Sequence, residues 1–470
     1  MTGKELLSEI GTKTVTLIGA GVSNMPLASF LIARGAKLTV RDKKSFDELG
    51  DRAKTLTEAG ARLILGEDYL NNIDEEVIFR SPGFRPDTPE IAAAVANGSI
   101  LTSEIKLFLE CCPCPVAAIT GSDGKSTTTT VTSKLFAKAF EGTGRTSFLG
   151  GNIGEPLLHR LDSMKPDDAV AAELSSFQLM DIDAPVEAAV ITNITPNHLN
   201  WHTGMDEYIA AKARLLRHAK RAVLNYGNEV TRELAKTCEC PVTYFSRFSI
   251  PLGILRECDS AVFPQDGIIK RFTVGGAEEI MALSDILLPG LHNAENYMAA
   301  LSAAWGTATP AQVREVAGTF EGVAHRLQLI REKDGVSFYN SSIDSSPTRT
   351  AAALDALGER HIVLICGGYD KKIPYEPLAE SIMAHPNVHT VVTTGATGPK
   401  IAALLREHPQ FAGSGVKLIE NPSFDDAVTV AAKEAAVGDC VVLSPASASF
   451  DHFANFEERG NHFVELVKGF

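Results

Sequence analysis

Residues 116–130, VAAITGSDGKSTTTT, constrain this chain more than any other stretch. A short apolar strand pattern runs into a glycine-bearing loop, and a Lys-Ser pair then opens a helix-like segment. Gly121 and Gly124 permit tight backbone curvature, so that consecutive amides can point at a phosphate. Lys125 supplies positive charge for the terminal phosphates, and Ser126 supplies a hydroxyl for Mg²⁺. The first glycine of the longer G-x-x-x-x-G-K-[ST] loop would fall at Ile119, so this is the shorter T-G-x-x-G-K-S form. Placed between a strand and a helix, it predicts a nucleoside triphosphate site formed by Thr120, Gly121, Ser122, Asp123, Gly124, Lys125, Ser126 and Thr127. A surface Gly-Lys-Ser turn is the competing reading, and the flanking pattern argues against it.

The rest of the chain predicts an α/β protein. TVTLIG (14–19), KLTVRD (37–42), RLILG (62–66) and EVIFRSPG (76–83) read as strands, with PLASFLIARG (26–35) as a helix. A second series holds VAAIT (116–120), AVAAELS (169–175), AAVITNI (188–194) and RAVLNY (221–226), followed by short β-like segments between about 241 and 290. After the helix-like 292–305, a third series holds 361–368, 389–395 and 440–445. Alternating strands and helices imply parallel sheets. At 470 residues the chain has room for about three domains. The expected division is a Rossmann-like domain over 1–112, a central P-loop ATPase-type domain with a small β appendage over 113–323, and a Rossmann-like C-terminal domain over 324–470.

Charge and cysteine content narrow the function. Forty-four basic against 58 acidic residues give a net charge of −14. Such a chain has no general attraction to nucleic acid or anionic membranes. Cys111, Cys112 and Cys114 have no partner pair at zinc spacing, so reduced structural thiols are expected. The first 13 residues lack the apolar core of a signal peptide. Residues 14–33 carry no charge, but Gly19, Gly21, Asn24 and Pro26 make them strand, turn and helix rather than a membrane span. The expectation is a cytoplasmic protein with no membrane insertion and no nucleic-acid partner.

A second nucleotide-type signal lies at 19–24. GAGVSN resembles a dinucleotide fingerprint with Asn24 in place of the third glycine, and Asp42 follows Gly19 by 23 residues, near where a ribose-binding acid would sit. Two nucleotide sites on one chain suggest that one nucleotide is fuel and the other a handle on the substrate.

Several motifs then fall in the order of one family. ITGSDGKSTTTT, ELSSFQL (173–179), NITPNHLNWH (193–202), EYIAAKARLL (207–216), LPGLHNAEN (288–296), AHR (324–326) and LSPASASFDHFANFEERG (443–460) resemble the Mur ligases of peptidoglycan synthesis. The C-terminal motif and the Rossmann-like first domain are most similar to the D-glutamate-adding members. The resemblance implies UDP-N-acetylmuramoyl-L-alanine, D-glutamate and ATP as partners, two Mg²⁺ ions and an acyl-phosphate intermediate; a monomer is the default expectation for the oligomeric state, which the sequence leaves open. It implies Lys125, Glu173, His198 and Lys212 as catalytic residues, with Ser126, Glu173, His198 and a CO₂-carbamylated Lys212 as metal ligands. It assigns Asn296, Arg326 and Asp344 to ATP alongside the loop, and Val22, Ser23, Asp42, Gly83, Asn152 and His198 to the UDP substrate. Lys371, Ser449, Phe450 and Phe456 are assigned to D-glutamate. An acyl phosphate must be shielded from water, so the domains are expected to close over the substrates, with the link around His325 as the hinge.

Read without the resemblance, several of these residues have plainer roles. Glu173 suits a cap or salt bridge, Lys212 the polar face of an amphipathic helix, and Phe456 a core. Two departures from the family stand out: Ser341 occupies the position of a common acid, with Asp344 as the substitute, and asparagines flank His198. The alternatives are another Mur ligase or a folylpolyglutamate synthase-like ligase, an NAD-dependent oxidoreductase, and a non-catalytic nucleotide-gated binding protein. The last would need none of Glu173, His198 and Lys212.

Overall fold

A computed structural model describes residues 1–470 apart from Val22, Ser23, Asn200, Glu257, Pro289, Trp305, Lys372 and Pro422. Among the described residues the strands form three sheets, and the chain divides by contacts into two compact units. One comprises Met1–Ile286 with Leu291–Gly318, the other Leu287–Gly290 with Thr319–Phe470.

The first unit holds two sheets. In the N-terminal one, five parallel strands lie in the order Arg62–Leu65, Lys37–Asp42, Thr14–Ile18, Val77–Arg80, Ile100–Thr102. The uncharged stretch at 14–33 resolves into the strand Thr14–Ile18 and the helix Met25–Ala33, as its turn-forming residues dictate. The strand order reverses between Thr14–Ile18 and Val77–Arg80, which is where open α/β sheets bind ligands.

The central sheet runs Gly276–Ala282, Ile268–Thr273, Ser260–Gln265, Val242–Phe245, Ala222–Asn225, Ala188–Ile191, Val116–Thr120, Ala169–Glu173, Ser147–Gly151. Its middle strands Val116–Thr120 and Ala169–Glu173 are buried at every residue, as expected for parallel strands covered on both faces. The β-rich stretch read from about 241 is the outer edge of this same sheet, where the last two strands turn antiparallel.

The Thr-rich helix Lys125–Phe140 buries Thr128, Thr129 and Thr132. These hydroxyls do not remain orphans: Thr129 and Thr132 each donate to the carbonyl four residues back, at 2.8 Å. The two sheets of this unit are latched by polar contacts. Arg80 pairs with Asp181 and donates to the carbonyls of Phe177 at 3.2 Å and Gln178 at 3.4 Å. Glu104, half-buried and raised in pKa by desolvation, accepts the Leu158 amide at 2.7 Å.

In the second unit the strands lie in the order Gln328–Lys333, Val336–Asn340, Cys440–Leu443, Ile362–Gly367, Val388–Thr394, Lys417–Glu420, with only the first antiparallel to its neighbour. His325, the expected hinge, and Leu327, just before this sheet, both have left-handed φ values, 62° and 40°. Among the described residues no helix is long and apolar enough to cross a membrane. All eight cysteines are free thiols, and among the described residues no group of three or more His, Cys, Asp or Glu lies close enough together to hold a metal without other ligands.

Candidate active site

Three strand ends of the central sheet converge. Val116–Thr120 feeds the phosphate loop, Ala169–Glu173 ends on Glu173, and Ala188–Ile191 leads into the loop that carries His198. The loop's glycines are obligatory. Gly121 has φ 149°, and a Cβ there would collide with Thr192 Oγ1; Gly124 has φ 78°, and a Cβ there would run into Asn296 Oδ1. Gly124 caps the helix that begins at Lys125, so the loop delivers backbone amides at a positive helix end. Ser122 is a buried strut of the loop: its Oγ donates to the Thr195 carbonyl at 3.0 Å and shares a 2.9 Å hydrogen bond with Tyr208 Oη. The Asp123 amide donates to Asn193 Oδ1 at 3.0 Å while its side chain faces solvent. Lys125 Nζ folds back onto the Ser122 carbonyl at 2.9 Å, while Ser126 and Thr127 are buried in the first turn.

Glu173 is 1% exposed. Its Oε1 accepts from Asn152 Nδ2 at 2.8 Å, and its buried Oε2 has no hydrogen-bond partner. A buried carboxylate oxygen left without a donor is costly unless a cation completes it. Lys212, on the helix Met205–Ala213, is also 1% exposed. Its Nζ lies beneath the phosphate loop, donating to the Gly121 carbonyl at 2.7 Å and to Thr120 Oγ1 at 3.3 Å. Burial, reinforced by the charge of Lys125, pushes its amine down to about 6. Lys212 is therefore not the polar face of a surface helix. His198 is exposed, has φ 55°, and sets its ring edge-on to Phe177 at 4.9 Å between centroids.

Asn296 is buried against the loop: Thr128 Oγ1 donates to its Oδ1 at 3.4 Å, and its Nδ2 donates to Asn293 Oδ1 at 3.3 Å. Of the residues expected around the UDP group, Val22 and Ser23 lie outside the described residues. Asp42 accepts the Ala20 amide at 2.6 Å and the Lys44 amide at 2.9 Å, and so ties the first two strand ends together. Gly83 is exposed in the turn after Val77–Arg80, and its carbonyl accepts Trp201 Nε1 at 3.3 Å. Asn24 explains the missing third glycine: its Nδ2 donates to the Gly19 carbonyl at 2.8 Å and to Ser81 Oγ at 2.7 Å, bridging the two strand ends.

The second unit gathers its candidates at the strand ends of its own sheet. Lys371 donates to Ser345 Oγ at 3.1 Å, and partial burial together with Arg349 and Arg459 lowers its pKa. Ser449 is buried, Phe450 is exposed with its ring edge-on to Tyr369 at 5.8 Å, and Phe456 opens the helix Phe456–Gly469. Asp344 is buried, accepts from Ser444 Oγ at 2.9 Å and from Ser341, and has its pKa raised by desolvation. The opposing charges of Arg326 and Arg349 partly offset that rise.

Residues that the sequence reading did not single out hold these groups in place. Arg459, buried and pushed down to about 10 by desolvation, donates to the carbonyls of Ser342, Ser447 and Ala448 at 2.8, 3.1 and 2.9 Å. In the first unit, Arg85 and Glu207 pair at 2.7 Å, and Glu207, pulled down to about 2 chiefly by Arg85, also accepts from buried His202 at 3.0 Å. No charge pattern in the sequence announces the Arg85–Glu207 pair or the Arg459–Ser342 contact, because each joins residues more than 100 positions apart in the chain.

Comparison with known proteins places this geometry. Residues 119–304 match the Mur ligase middle domain, and residues 325–447 match the Mur ligase, glutamate ligase domain. The UDP-N-acetylmuramoylalanine--D-glutamate ligase of Acetivibrio thermocellus is 43% identical over 466 residues, 98% of this chain and 97% of its own length. Its namesake from Ruminiclostridium cellulolyticum is 42% identical over 470 residues, 99% and 98% of the two chains. Among solved structures, the fold is like that of MurF from Acinetobacter baumannii (14% identity, TM-score 0.59, covering 99% and 98%). It is also like the UDP-N-acetylmuramate-alanine ligase of Thermotoga maritima (17% identity, TM-score 0.57, covering 97% and 99%). With two family domains in order and relatives matching from end to end, the chain belongs to the Mur ligase family.

Proposed function

We propose that this ligase joins D-glutamate to UDP-N-acetylmuramoyl-L-alanine at the expense of ATP. The name shared by its 41–43% identical relatives supports the choice of substrates. The observation that carries the chemistry is the meeting of the phosphate loop, the unpartnered Glu173 Oε2 and the buried Lys212 amine at adjacent strand ends.

Amide formation from a carboxylate and an amine in water is uphill, so the carboxylate must be activated. A carboxylate oxygen of the substrate attacks the γ-phosphorus of ATP, the bond to the β,γ-bridging oxygen breaks, and ADP leaves. The D-glutamate amine then attacks the acyl carbon, and the tetrahedral adduct expels phosphate as the nitrogen loses its proton to solvent. The loop amides and Lys125 orient the triphosphate and offset its charge. Asn152 holds Glu173 in place, and Asn296 buttresses the phosphate loop at Gly124.

The residues present fit Mg²⁺. Ser126, Glu173, His198 and carbamylated Lys212 would hold the ions, with phosphate oxygens and water completing coordination, which is the usual arrangement for this hard cation. Bound Mg²⁺ would supply the positive charge that lets one anion approach another. The carbamate forms as the neutral Lys212 amine adds to CO₂ and releases one proton, and the remaining N–H can still serve the Gly121 carbonyl. In the second unit, the Lys371 ammonium and Ser449 suit a dicarboxylate, and Phe450 and Phe456 suit its methylenes. Arg326 and Asp344 are assigned to ATP, and Val22, Ser23, Asp42 and Gly83 to the UDP group. The limits 1–112, 113–323 and 324–470, a monomeric state and a cytoplasmic site of action belong to the same proposal.

Substrate labelled with ¹⁸O in its alanyl carboxylate tests the acyl phosphate. One ¹⁸O should appear in the released phosphate; unlabelled phosphate would refute the pathway.

A further inference from the structure

We propose that His202 is a positioning residue for the phosphoryl-transfer centre, cross-linking the loop that carries His198 to the segment that carries Glu173. This rests on the reading of Glu173 and His198 as Mg²⁺ ligands.

His202 is 3% exposed, and both its ring nitrogens are engaged. Nδ1 lies 3.0 Å from Glu207 Oε2 and Nε2 lies 2.9 Å from Ser176 Oγ. The Glu207 carboxylate only accepts: it takes N–H groups from Arg85 at 2.7 and 3.0 Å and the Thr203 amide at 3.0 Å. The proton of the neutral ring therefore sits on Nδ1, and Nε2 accepts the Ser176 hydroxyl. Ser176 begins the short helix Ser176–Leu179, three residues after Glu173. One imidazole thus pins the Glu173 side of the site to the His198 side.

The His198 loop needs such a pin. His198 has φ 55°, and a non-glycine residue held there costs about 1 kcal/mol, a strain retained only when its surroundings over-determine it. The amides of Trp201 and His202 both donate to the His198 carbonyl at 3.0 Å, which closes the turn. Phe177 packs beneath it, with ring centroids 4.9 Å from His198, 4.4 Å from Trp201 and 5.7 Å from His202, the last at an interplanar angle of 27°. From the turn after Val77–Arg80, Arg85 donates to the Trp201 carbonyl at 3.1 Å, and Trp201 Nε1 reaches the Gly83 carbonyl. Anchoring His202 therefore fixes where the His198 ring points. Partners that orient metal ligands from behind typically affect metal affinity 10- to 100-fold.

Mn²⁺ serves as the spectroscopic probe. Its binding to the full-length enzyme with a non-hydrolysable ATP analogue is followed by electron paramagnetic resonance against a nucleotide-only blank. His202→Ala and Ser176→Ala should each weaken Mn²⁺ binding about tenfold or more. The double variant should be no worse than the weaker single one, because both remove the same link. Ser176→Thr, which keeps the hydroxyl, should bind like wild type, and thermal melting should separate the Ser176 effects from loss of fold. Unchanged Mn²⁺ affinity in Ser176→Ala, or losses that multiply in the double variant, would overturn the proposal. Glu173→Gln is the control for the underlying reading. If it too leaves Mn²⁺ binding unchanged, the metal assignment fails. If it abolishes binding while Ser176→Ala and His202→Ala do not, only the positioning role fails.

Discussion

Lys212 gives the sharpest quantitative test of the site. Carbamylation requires a neutral amine, and the burial that pushes this one down to about 6 supplies it. At pH 7.5 a group with that pKa is ~97% neutral, whereas an ordinary lysine near 10.5 is ~0.1% neutral, a difference of about a thousandfold. Enzyme equilibrated with ¹³C-bicarbonate at pH 7.5 should show one carbamate carbon resonance, absent from Lys212→Ala. That variant should lose roughly 100-fold or more in kcat, as when a key electrostatic group is removed, and a short added carboxylate should restore part of it. Carbamate and activity should fall together as the pH drops through about 6, because the amine then takes a proton. The same burial has a stability signature in CO₂-free buffer. Below 10.5 the unfolded chain is protonated at this lysine, and the folded chain is not until about 6. Wild type should therefore gain stability relative to Lys212→Met as pH rises from about 6 to 10.5, and show no such relative change below 6. A missing carbamate resonance, or Lys212→Ala with wild-type kcat, would refute the reasoning.

Gly124→Ala places a side chain at φ 78° and into Asn296; about 1–2 kcal/mol of strain should raise the KM for ATP about tenfold, as read by steady-state kinetics. A wild-type KM would show that the loop is not held as described. Lys371→Ala should raise the KM for D-glutamate with little change in that for ATP; unchanged kinetics at limiting D-glutamate would remove Lys371 from the amino-acid site. Arg459→Met leaves three carbonyls without their donor and should destabilise the C-terminal unit by about 3 kcal/mol or more, seen in denaturant unfolding and in protease cleavage near 444–449.

The strands were largely legible because buried parallel strands must be apolar along their whole length. Val116–Thr120, buried at every position, coincides with its sequence run for that reason. The β-rich segment after 241 was harder to place: Gly-rich turns and alternation mark antiparallel strands, but not the sheet whose edge they extend. Within the site, the glycines of the phosphate loop announce themselves because their conformation admits little else. Lys212 does not, since its burial comes from Gly121 and Thr120, which lie above it in space and about 90 residues away in the chain. Asn24 looked like a defect in a fingerprint, yet its amide is spent on Gly19 and Ser81, a contact that no local pattern encodes. His202 reads as one of 12 histidines in a polar loop. Only the start of the helix at Met205 turns its spacing from Glu207 into a hydrogen bond.

The central claim is that this chain couples ATP cleavage to D-glutamate addition. Phosphate release from ATP, measured with UDP-N-acetylmuramoyl-L-alanine and in turn D-glutamate, L-glutamate, glycine or diaminopimelate, tests it most directly. The account predicts release only when the UDP substrate and D-glutamate are both present. Release with another amino acid in place of D-glutamate, or none with any of them, would contradict it.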